Sequence, residues 1–183
     1  MFSGKTTHLI QQYKKYTYID KPVAVINYVG DQRYHATMLS THDKHMIPCL
    51  SAATLGEVVD HDTVKEAEVI LINEGQFFPD LVNCCMDWVE RDSKIVYVAG
   101  LDGDFRRQKF GTMLDLIPVC DTVTKLHSLC SNCRTGEGAL FSHRILGGDS
   151  QIVIGSDMYQ PLCRACYIEA NVGSESVLSL EYP

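Results

Sequence analysis

Apolar positions follow two spacings along the N-terminal two thirds of the chain. Over residues 5–19 they recur every three or four positions, which predicts an amphipathic helix. Residues 22–28 (PVAVINY), 67–73 (AEVILIN) and 94–100 (KIVYVAG) are continuous apolar runs rich in β-branched residues. Such runs are typical of strands buried on both faces of a parallel sheet.

Shorter patterns complete the predicted core. We expect helices over residues 54–59, from Pro79 onwards in PDLVNCCMDWVERD, and near residues 113–117. The polar residues 30–45 predict a loop, and 121–126 (DTVTKL) predict a last strand. Alternation of strands and helices predicts an α/β fold with a parallel sheet flanked by helices, and ligands beyond the carboxyl ends of the strands.

Two Cys-x-x-Cys pairs stand near the C-terminus. Cys130 and Cys133 form the first, Cys163 and Cys166 the second, and short β-like runs with Gly-rich turns lie between them. Two such pairs can close a tetrahedral cage of four thiolates around one structural zinc, which leaves no open position for a catalytic water. A disulfide framework or a redox pair is the alternative. We expect a zinc-bound β-hairpin domain here.

The predicted organisation is therefore a core over residues 1–128, a zinc-binding domain over 129–168 and a poorly ordered tail over 169–183. The chain has 183 residues, of which 45% are hydrophobic and 21% are charged, as is usual for a globular protein. No apolar run reaches the ~20 residues of a membrane span. The net charge of −7 disfavours a nucleic-acid-binding surface.

The remaining four cysteines are scattered among apolar neighbours, at Cys49, Cys84, Cys85 and Cys120. Unpaired, buried thiols of this kind are typical of a reducing compartment. We therefore expect a cytoplasmic protein, with no membrane and no nucleic acid as partner.

The segment SGKTT matches the end of the phosphate-binding motif G-x-x-x-x-G-K-[ST]. Lys5 would neutralise phosphate oxygens, and the hydroxyl of Thr6 would bind magnesium. The leading glycine of the motif, and the strand that feeds it, would precede Met1, so we expect both upstream. An ordinary helix start is the alternative.

Two more polar segments each follow a predicted buried strand. In LINEGQFF, Glu74 is placed to act as a general base, with a helix cap as the alternative. In GLDGDFRRQKFG, Phe105 could stack on a base and an arginine could contact phosphate. A solvated charged turn is the alternative for this second segment.

Taken in order, MFSGKTT, DQRY, NEGQFFPD, GLDGDFRRQKFG, CSNC and GSDMYQPLCRACY resemble the motifs of the type II thymidine kinases, the zinc-bearing kind of animals, many microbes and large DNA viruses. The resemblance runs from residue 1 to about 168. It implies a P-loop NTPase-like fold and transfer of the ATP γ-phosphate to the 5′-hydroxyl of thymidine or deoxyuridine, giving dTMP in nucleotide salvage. It also implies ATP with Mg²⁺, one structural Zn²⁺ and a homotetramer.

The resemblance assigns site residues too. Glu74 matches the catalytic base, Thr6 the magnesium ligand and the four paired cysteines the zinc ligands. The ATP and phosphate residues would be Met1, Phe2, Ser3, Gly4, Lys5, Thr6, Asp31, Gln32, Arg33, Asn73, Gly75 and Gln76. The thymidine residues would be Leu101, Phe105, Ser142, Gln151, Ile152, Val153, Ile154, Gly155 and Tyr159, several of them in a lasso between the cysteine pairs.

Asn73 departs from the family pattern, which usually has an aspartate there that helps to hold magnesium. We expect weaker metal binding but retained activity, because Glu74 is intact. Two alternatives remain: another P-loop nucleotide hydrolase, in which Glu74 activates water, and a zinc-ribbon binding module on a degenerate kinase core.

Overall fold

The chain divides into two compact units in a computed structural model, which describes residues 2–31, 37–40, 45–145, 151 and 158–172. The core unit comprises Lys5–Asp102 and Gly111–Val123. The cysteine unit comprises Met1–Gly4, Gly103–Phe110 and Thr124–Pro183. Within the described ranges, no helix combines the length and the apolar character that crossing a membrane requires.

The core unit is built on a parallel sheet with helices around it. In chain order its elements are α1 (Lys5–Tyr18), β1 (Val23–Tyr28), β2 (Met38–Ser40), β3 (Met46–Pro48), β4 (Leu50–Ala52), α2 (Asp62–Glu66), β5 (Val69–Asn73), α3 (Leu81–Met86) and β6 (Ile95–Ala99). Four strands pair in parallel in the order β4-β1-β5-β6, whereas β2 and β3 form an antiparallel hairpin. The α/β class and the three predicted strands are confirmed. β1 and β5 are largely or fully buried, whereas β6, at the edge of the sheet, is exposed at Ile95 and half-buried over its other residues.

Side chains alternate along the central strands and pack on both faces of the sheet. On one face, Ile26 and Ile70 pack with Val64 of α2 and with α3. On the other face, Leu71 packs with Leu9 of α1 and with the β2–β3 hairpin. All five residues of β5 are buried, as a continuous apolar run predicts for a central parallel strand.

Three predictions for the core unit are wrong in detail. The stretches predicted as helices over 54–59 and 113–117 are 3₁₀ turns, Leu55–Glu57 and Met113–Val119. Residues 121–126 contain no strand and are exposed. The β-branched residues of DTVTKL favour extended backbone, but a strand also needs a neighbour that pairs with it, which a hexapeptide pattern cannot supply.

A tertiary contact explains the first of these turns. The backbone N–H groups of Leu55 and Gly56 donate to the two carboxylate oxygens of Asp80, at 3.1 and 2.8 Å. Asp80 precedes α3 but makes no side-chain cap for that helix. The helix predicted from Pro79 accordingly begins at Leu81, and it continues as a π-helical turn, Asp87–Arg91.

Short elements escaped sequence prediction. The hairpin strands, β4 and α2 have only three to five residues each, which is too short for a periodic pattern. The predicted loop over 30–45 contains β2. Residues 32–36 and 41–44 lie outside the described residues, and with them the predicted phosphate-binding residues Gln32 and Arg33.

The cysteine unit contains two small antiparallel pairs and a helix. Its elements are β7 (Ser128–Leu129), β8 (Gly138–Ala139), β9 (Phe141–Arg144), β10 (Tyr159–Leu162) and α4 (Arg164–Ala170). β7 pairs with β8 and β9 pairs with β10, so the predicted hairpin between the cysteine pairs is confirmed. Most of the predicted tail, residues 173–183, lies outside the described residues.

Truncating the central strand should destabilise the protein far more than truncating the edge strand. Ile70 is 0% exposed and Ile95 is 40% exposed. We expect Ile70→Ala to lower the free energy of unfolding by about 2–5 kcal/mol, because it leaves a cavity. The matched Ile95→Ala should cost less than about 1 kcal/mol. Urea denaturation measures both, and equal losses would contradict the packing described here.

Candidate active site

Polar residues of the core unit gather at the carboxyl edge of its sheet. Asn27 lies near the end of β1 and Asn73 ends β5, and the two are paired in register. Both are buried, with 4% and 2% of their surface exposed. Ligands of parallel α/β sheets bind beyond this edge. Sequence reasoning missed Asn27, although an amide within an otherwise apolar strand is a usable signal.

The Gly-Lys-Thr segment leads directly into α1, which starts at Lys5. Gly4 has a φ of +78°, a left-handed conformation that glycine adopts without steric cost. The hydroxyl of Thr6 lies 3.5 Å from Oδ1 of Asn73. The structure thus brings together the predicted magnesium-binding threonine and the amide that follows the buried strand.

The other predicted phosphate residues are distributed around the start of α1 and the ends of the strands. Phe2 is exposed and Ser3 is half-buried, and both precede α1. The N–H of Asp31 donates to the carbonyl of Tyr28 at 2.9 Å, which turns the chain just after β1. Met1 lies outside the described residues.

Two tyrosines tie α1 to the sheet. The hydroxyls of Tyr16 on α1 and Tyr97 on β6 lie 3.0 Å apart, and their rings pack in a tilted arrangement. This hydrogen bond, together with burial, raises the pKa of Tyr97 to about 12. The helix that begins at Lys5 is therefore held on the sheet by a polar contact as well as by apolar packing.

Glu74 follows β5 in an unusual backbone conformation. Its φ and ψ are 57° and 43°, in the left-handed region. For a residue with a Cβ this conformation costs roughly 1–2 kcal/mol. Such strain persists only where surrounding contacts enforce it, and it is concentrated at functional sites. The backbone geometry therefore favours a functional carboxylate here over a helix cap, and Glu74 makes no capping hydrogen bond.

Gln76 fixes the carboxylate of Glu74. The backbone N–H of Leu101 donates to Oε1 of Gln76 at 2.9 Å, and Nε2 of Gln76 donates to Oε2 of Glu74 at 2.7 Å. Because an N–H can only donate, Leu101 determines which end of the buried amide faces Glu74. Gln76 thus orients the carboxylate of the candidate base, while its predicted contact with phosphate stays a prediction. The backbone N–H of Leu101, a predicted thymidine residue, bonds to Gln76 in the same unit.

Two glycines make room for Gln76. A Cβ at Gly111, which has a φ of +56°, would lie 2.2 Å from the backbone oxygen of Gln76. A Cβ at Gly100 would lie 2.7 Å from its Oε1. Gly75 is similarly restricted by Val98, at 2.6 Å. The loops after β5 and β6 can therefore approach each other this closely only with glycine at these positions.

In the cysteine unit, Asp104 organises the loop that carries Phe105. Its Oδ1 accepts from the backbone N–H groups of Arg106 and Gln108 at 2.8 and 2.9 Å, and its Oδ2 accepts from the side chain of Gln151 at 2.9 Å. An aspartate that bonds the backbone two residues on is an Asx-turn signal. Asp104 could therefore have been found from the sequence DFRRQ.

Arg144, which sequence reasoning missed, contacts three of the predicted thymidine residues. Its guanidinium lies 3.8 Å from the ring centroid of Phe105. It also donates to the backbone oxygen of Gln151 at 3.2 Å and to the hydroxyl of Tyr159 at 2.8 Å. Ser142 lies on the same strand, β9. The predicted residues Ile152, Val153, Ile154 and Gly155 lie outside the described residues.

The four paired cysteines form one cluster. Their sulfur atoms all lie within 4.8 Å of one another, and three of the residues are buried. Burial alone would raise the pKa of Cys130, but backbone N–H groups of Cys163, Cys133 and Asn132 lower it to about 6. Four convergent sulfurs with N–H donors aimed at them fit a tetrahedral zinc thiolate site.

Comparison with known proteins agrees with this geometry. Residues 1–167 match the family model described as thymidine kinase. Thymidine kinases of Variola virus and of Vaccinia virus strain Western Reserve are 44% and 43% identical to the chain over 172 residues, 93% of each sequence. That of Raccoon poxvirus is 44% identical over 170 residues, 92% of each sequence. The chain belongs to the thymidine kinase family of ATP-dependent nucleoside kinases.

Proposed function

We propose that this chain transfers the γ-phosphate of ATP to the 5′-hydroxyl of thymidine, giving dTMP for pyrimidine deoxynucleotide salvage. The observation that carries the proposal is the match of residues 1–167 to the thymidine kinase family, which includes parts of both compact units. Deoxyuridine, which lacks only the methyl group of the base, is a second acceptor under the same proposal.

The phosphate side of the proposal rests on the start of α1. Lys5 neutralises phosphate oxygens of ATP, and the N–H groups of the first helical turn face the same anion. Thr6 and Asn73 are the oxygen donors that suit magnesium, a hard cation. Magnesium, when bound with ATP, offsets the charge that develops on the transferred phosphoryl group.

Glu74 is the proposed general base. It takes the proton from the 5′-hydroxyl as that oxygen attacks the γ-phosphorus in line, and ADP leaves. The hydrogen bond from Gln76 keeps its carboxylate in one orientation. Phosphoryl transfer needs this kind of positioning more than it needs covalent chemistry.

The thymidine side of the proposal relies on the family resemblance, supported by contacts within the cysteine unit. Phe105 supplies an aromatic face; Asp104 bonds the backbone of the loop that carries it, and the guanidinium of Arg144 stacks on its ring. Gln151 and Tyr159 both bond to Arg144, so one cation holds both sides of the segment expected to cover the base. A covering segment excludes water that would compete with the nucleoside hydroxyl.

One structural zinc, held by Cys130, Cys133, Cys163 and Cys166, completes the proposal. The apolar cluster of the cysteine unit consists of Leu162, Tyr167 and three of the four cysteines, Cys130, Cys163 and Cys166, with Phe141 packed against it. A core of this size supplies little folding free energy, so a metal is expected to supply much of the rest. By family resemblance we further propose a homotetramer in the cytoplasm and a domain division near residue 128.

Removing the proposed base should abolish most of the turnover. We expect Glu74→Gln to lower kcat by about 10²–10⁴-fold, because a general base contributes about that much, while ATP binding is retained. The matched control is Glu66→Gln, an exposed residue of α2, which should keep wild-type turnover. Steady-state kinetics with ATP, magnesium and thymidine measure both variants.

The same assay separates a kinase from a nucleotide hydrolase. A thymidine kinase releases ADP from ATP only when thymidine is present, whereas a hydrolase turns over equally well without it. Near-normal turnover of Glu74→Gln would remove the base assignment. ADP release independent of thymidine in the wild type would overturn the proposed function itself.

Metal analysis should find one zinc per chain. Cys163→Ala combined with Cys166→Ala should abolish zinc binding and lower the thermal unfolding temperature, because the cage contributes folding free energy. Cys120→Ala is the matched control: this cysteine, expected from the sequence to be buried, is exposed in the structure, and it lies outside the cluster. A zinc-free wild type that is fully folded, or a double variant that retains its zinc, would contradict the proposed cage.

Arg144 should influence thymidine binding more than ATP binding. We expect Arg144→Met to raise the KM for thymidine by about 10-fold, the cost of losing a charge-assisted hydrogen bond, with little change in the KM for ATP. Arg91→Met, which removes an exposed arginine of the core unit, is the control. An equal rise in both KM values would indicate a general loss of structure instead.

A further inference from the structure

A chain of hydrogen bonds crosses the carboxyl edge of the sheet in the core unit. Nδ2 of Asn27 donates to the backbone oxygen of Asp31 at 3.4 Å. Nδ2 of Asn73 donates to Oδ1 of Asn27 at 2.8 Å. The hydroxyl of Thr6 donates to Oδ1 of Asn73 at 3.5 Å. The middle bond is short and the outer two are long.

The backbone gives this chain a direction. A carbonyl oxygen can only accept, so the side of Asn27 that faces Asp31 must be its NH₂ group. The oxygen of Asn27 then faces Asn73, and Asn73 must donate to it from its own NH₂ group. The oxygen of Asn73 is left facing Thr6. Three side chains thus take their orientation from one main-chain carbonyl.

The direction matters for the hydroxyl of Thr6. A threonine hydroxyl has one hydrogen to donate and two lone pairs. When its hydrogen points at Asn73, its lone pairs face elsewhere, and a lone pair is what a magnesium ion takes from a hydroxyl ligand. A reversed Asn73 would offer an NH₂ group, which would occupy one of the two lone pairs. The hydroxyl hydrogen, no longer accepted by Asn73, would then have to point elsewhere and compete with the cation for the remaining open side of the oxygen.

We propose that Asn27 is a positioning residue for magnesium binding: it orients the amide of Asn73 so that the hydroxyl of Thr6 donates its hydrogen to Asn73 and keeps both lone pairs available on the side where the metal binds. This inference rests on the proposed role of Thr6 in the kinase reaction. It also gives Asn73 a role that does not depend on a negative charge. Asn73 acts through its oxygen as an acceptor, and Asn27 ensures that the oxygen is the atom presented.

Burial explains why the orientation can be held. Asn27 and Asn73 are 4% and 2% exposed, so water competes little for their amide groups. A reversed amide would place two NH₂ groups or two oxygens face to face where solvent cannot compensate. The neighbouring strands fix the backbones of the two residues in register, so the side chains cannot avoid each other.

The test measures how much magnesium tightens ATP binding. Isothermal titration calorimetry gives the Kd for ATP with magnesium and with EDTA, and the ratio of the two isolates the metal-dependent part. We expect Asn27→Leu to lower this ratio by about 10-fold, the usual effect of losing a partner of a metal ligand, with the Kd in EDTA unchanged. Asn27→Ala also lacks the acceptor but has a smaller side chain, and it should lower the ratio in the same way. It replaces the leucine variant in the test if that variant misfolds.

Two more variants separate orientation from general damage. Asn27→Asp keeps an oxygen facing Asn73, so it should retain most of the magnesium effect. Asn171→Leu removes another buried asparagine, whose Nδ2 donates to the carbonyl of Tyr167 in the cysteine unit at 2.7 Å. It should lower the thermal unfolding temperature without changing the ratio.

Each of three results would overturn the inference about Asn27. A wild-type ratio in folded Asn27→Leu and Asn27→Ala would overturn the inference while leaving the kinase proposal intact. An equal loss in Asn27→Asp and Asn27→Leu would also overturn it, because orientation would not be the cause. If magnesium failed to tighten ATP binding in the wild type, the proposed role of Thr6 would fail, and the inference would fail with it.

Discussion

Parallel strands in register end together, and this constraint collects the polar groups of the core unit at one edge of its sheet. β1 and β5 bring Asn27 and Asn73 there as a buried pair. Because the strands are covered on both faces, each amide needs a partner inside the protein. The partners they find, Thr6 and the carbonyl of Asp31, belong to the segments that flank the candidate site. The hydrogen bonds that satisfy these buried amides therefore also position residues of the candidate site.

The cysteine unit reaches order by other means. Its strands have two to four residues, and its apolar cluster is small. Charged side chains do much of the organising, since Asp104 bonds the loop around Phe105 and Arg144 bonds Gln151 and Tyr159. Such contacts are directional but individually weak, because each exchanges protein partners for water. A unit built this way benefits from a metal that fixes its cysteines.

The sequence predicted those elements that the pattern of neighbouring residues is sufficient to determine. β1, β5 and β6 are long apolar runs, and α1 has a clear helical spacing, so the pattern of nearby residues is sufficient to predict them. The 3₁₀ turn Leu55–Glu57 depends on the distant carboxylate of Asp80, and no pattern near that turn contains this information. Residues 121–126 resemble a strand, but a strand exists only where neighbours pair with it.

Prediction of the site shows the same division. The motif placed Thr6, Asn73 and Glu74 at the ends of elements, and the structure brings Thr6 and Asn73 together. Asn27 and Arg144 act through residues far away in the sequence, so only the fold reveals them. The motif also placed Gln76 beside Glu74, but the hydrogen bond that Gln76 accepts from the N–H of Leu101 is visible only in the fold.

The left-handed backbone at Glu74 has a consequence for protein engineering. Glycine or asparagine would relax this backbone, so a library screened for heat resistance alone would enrich them at position 74. Under the proposed role of Glu74 as the general base, those clones would be lost in a screen for phosphorylated nucleoside. At position 74, selection for thermal stability and selection for turnover therefore favour different residues. Stabilising substitutions must be sought elsewhere in the chain.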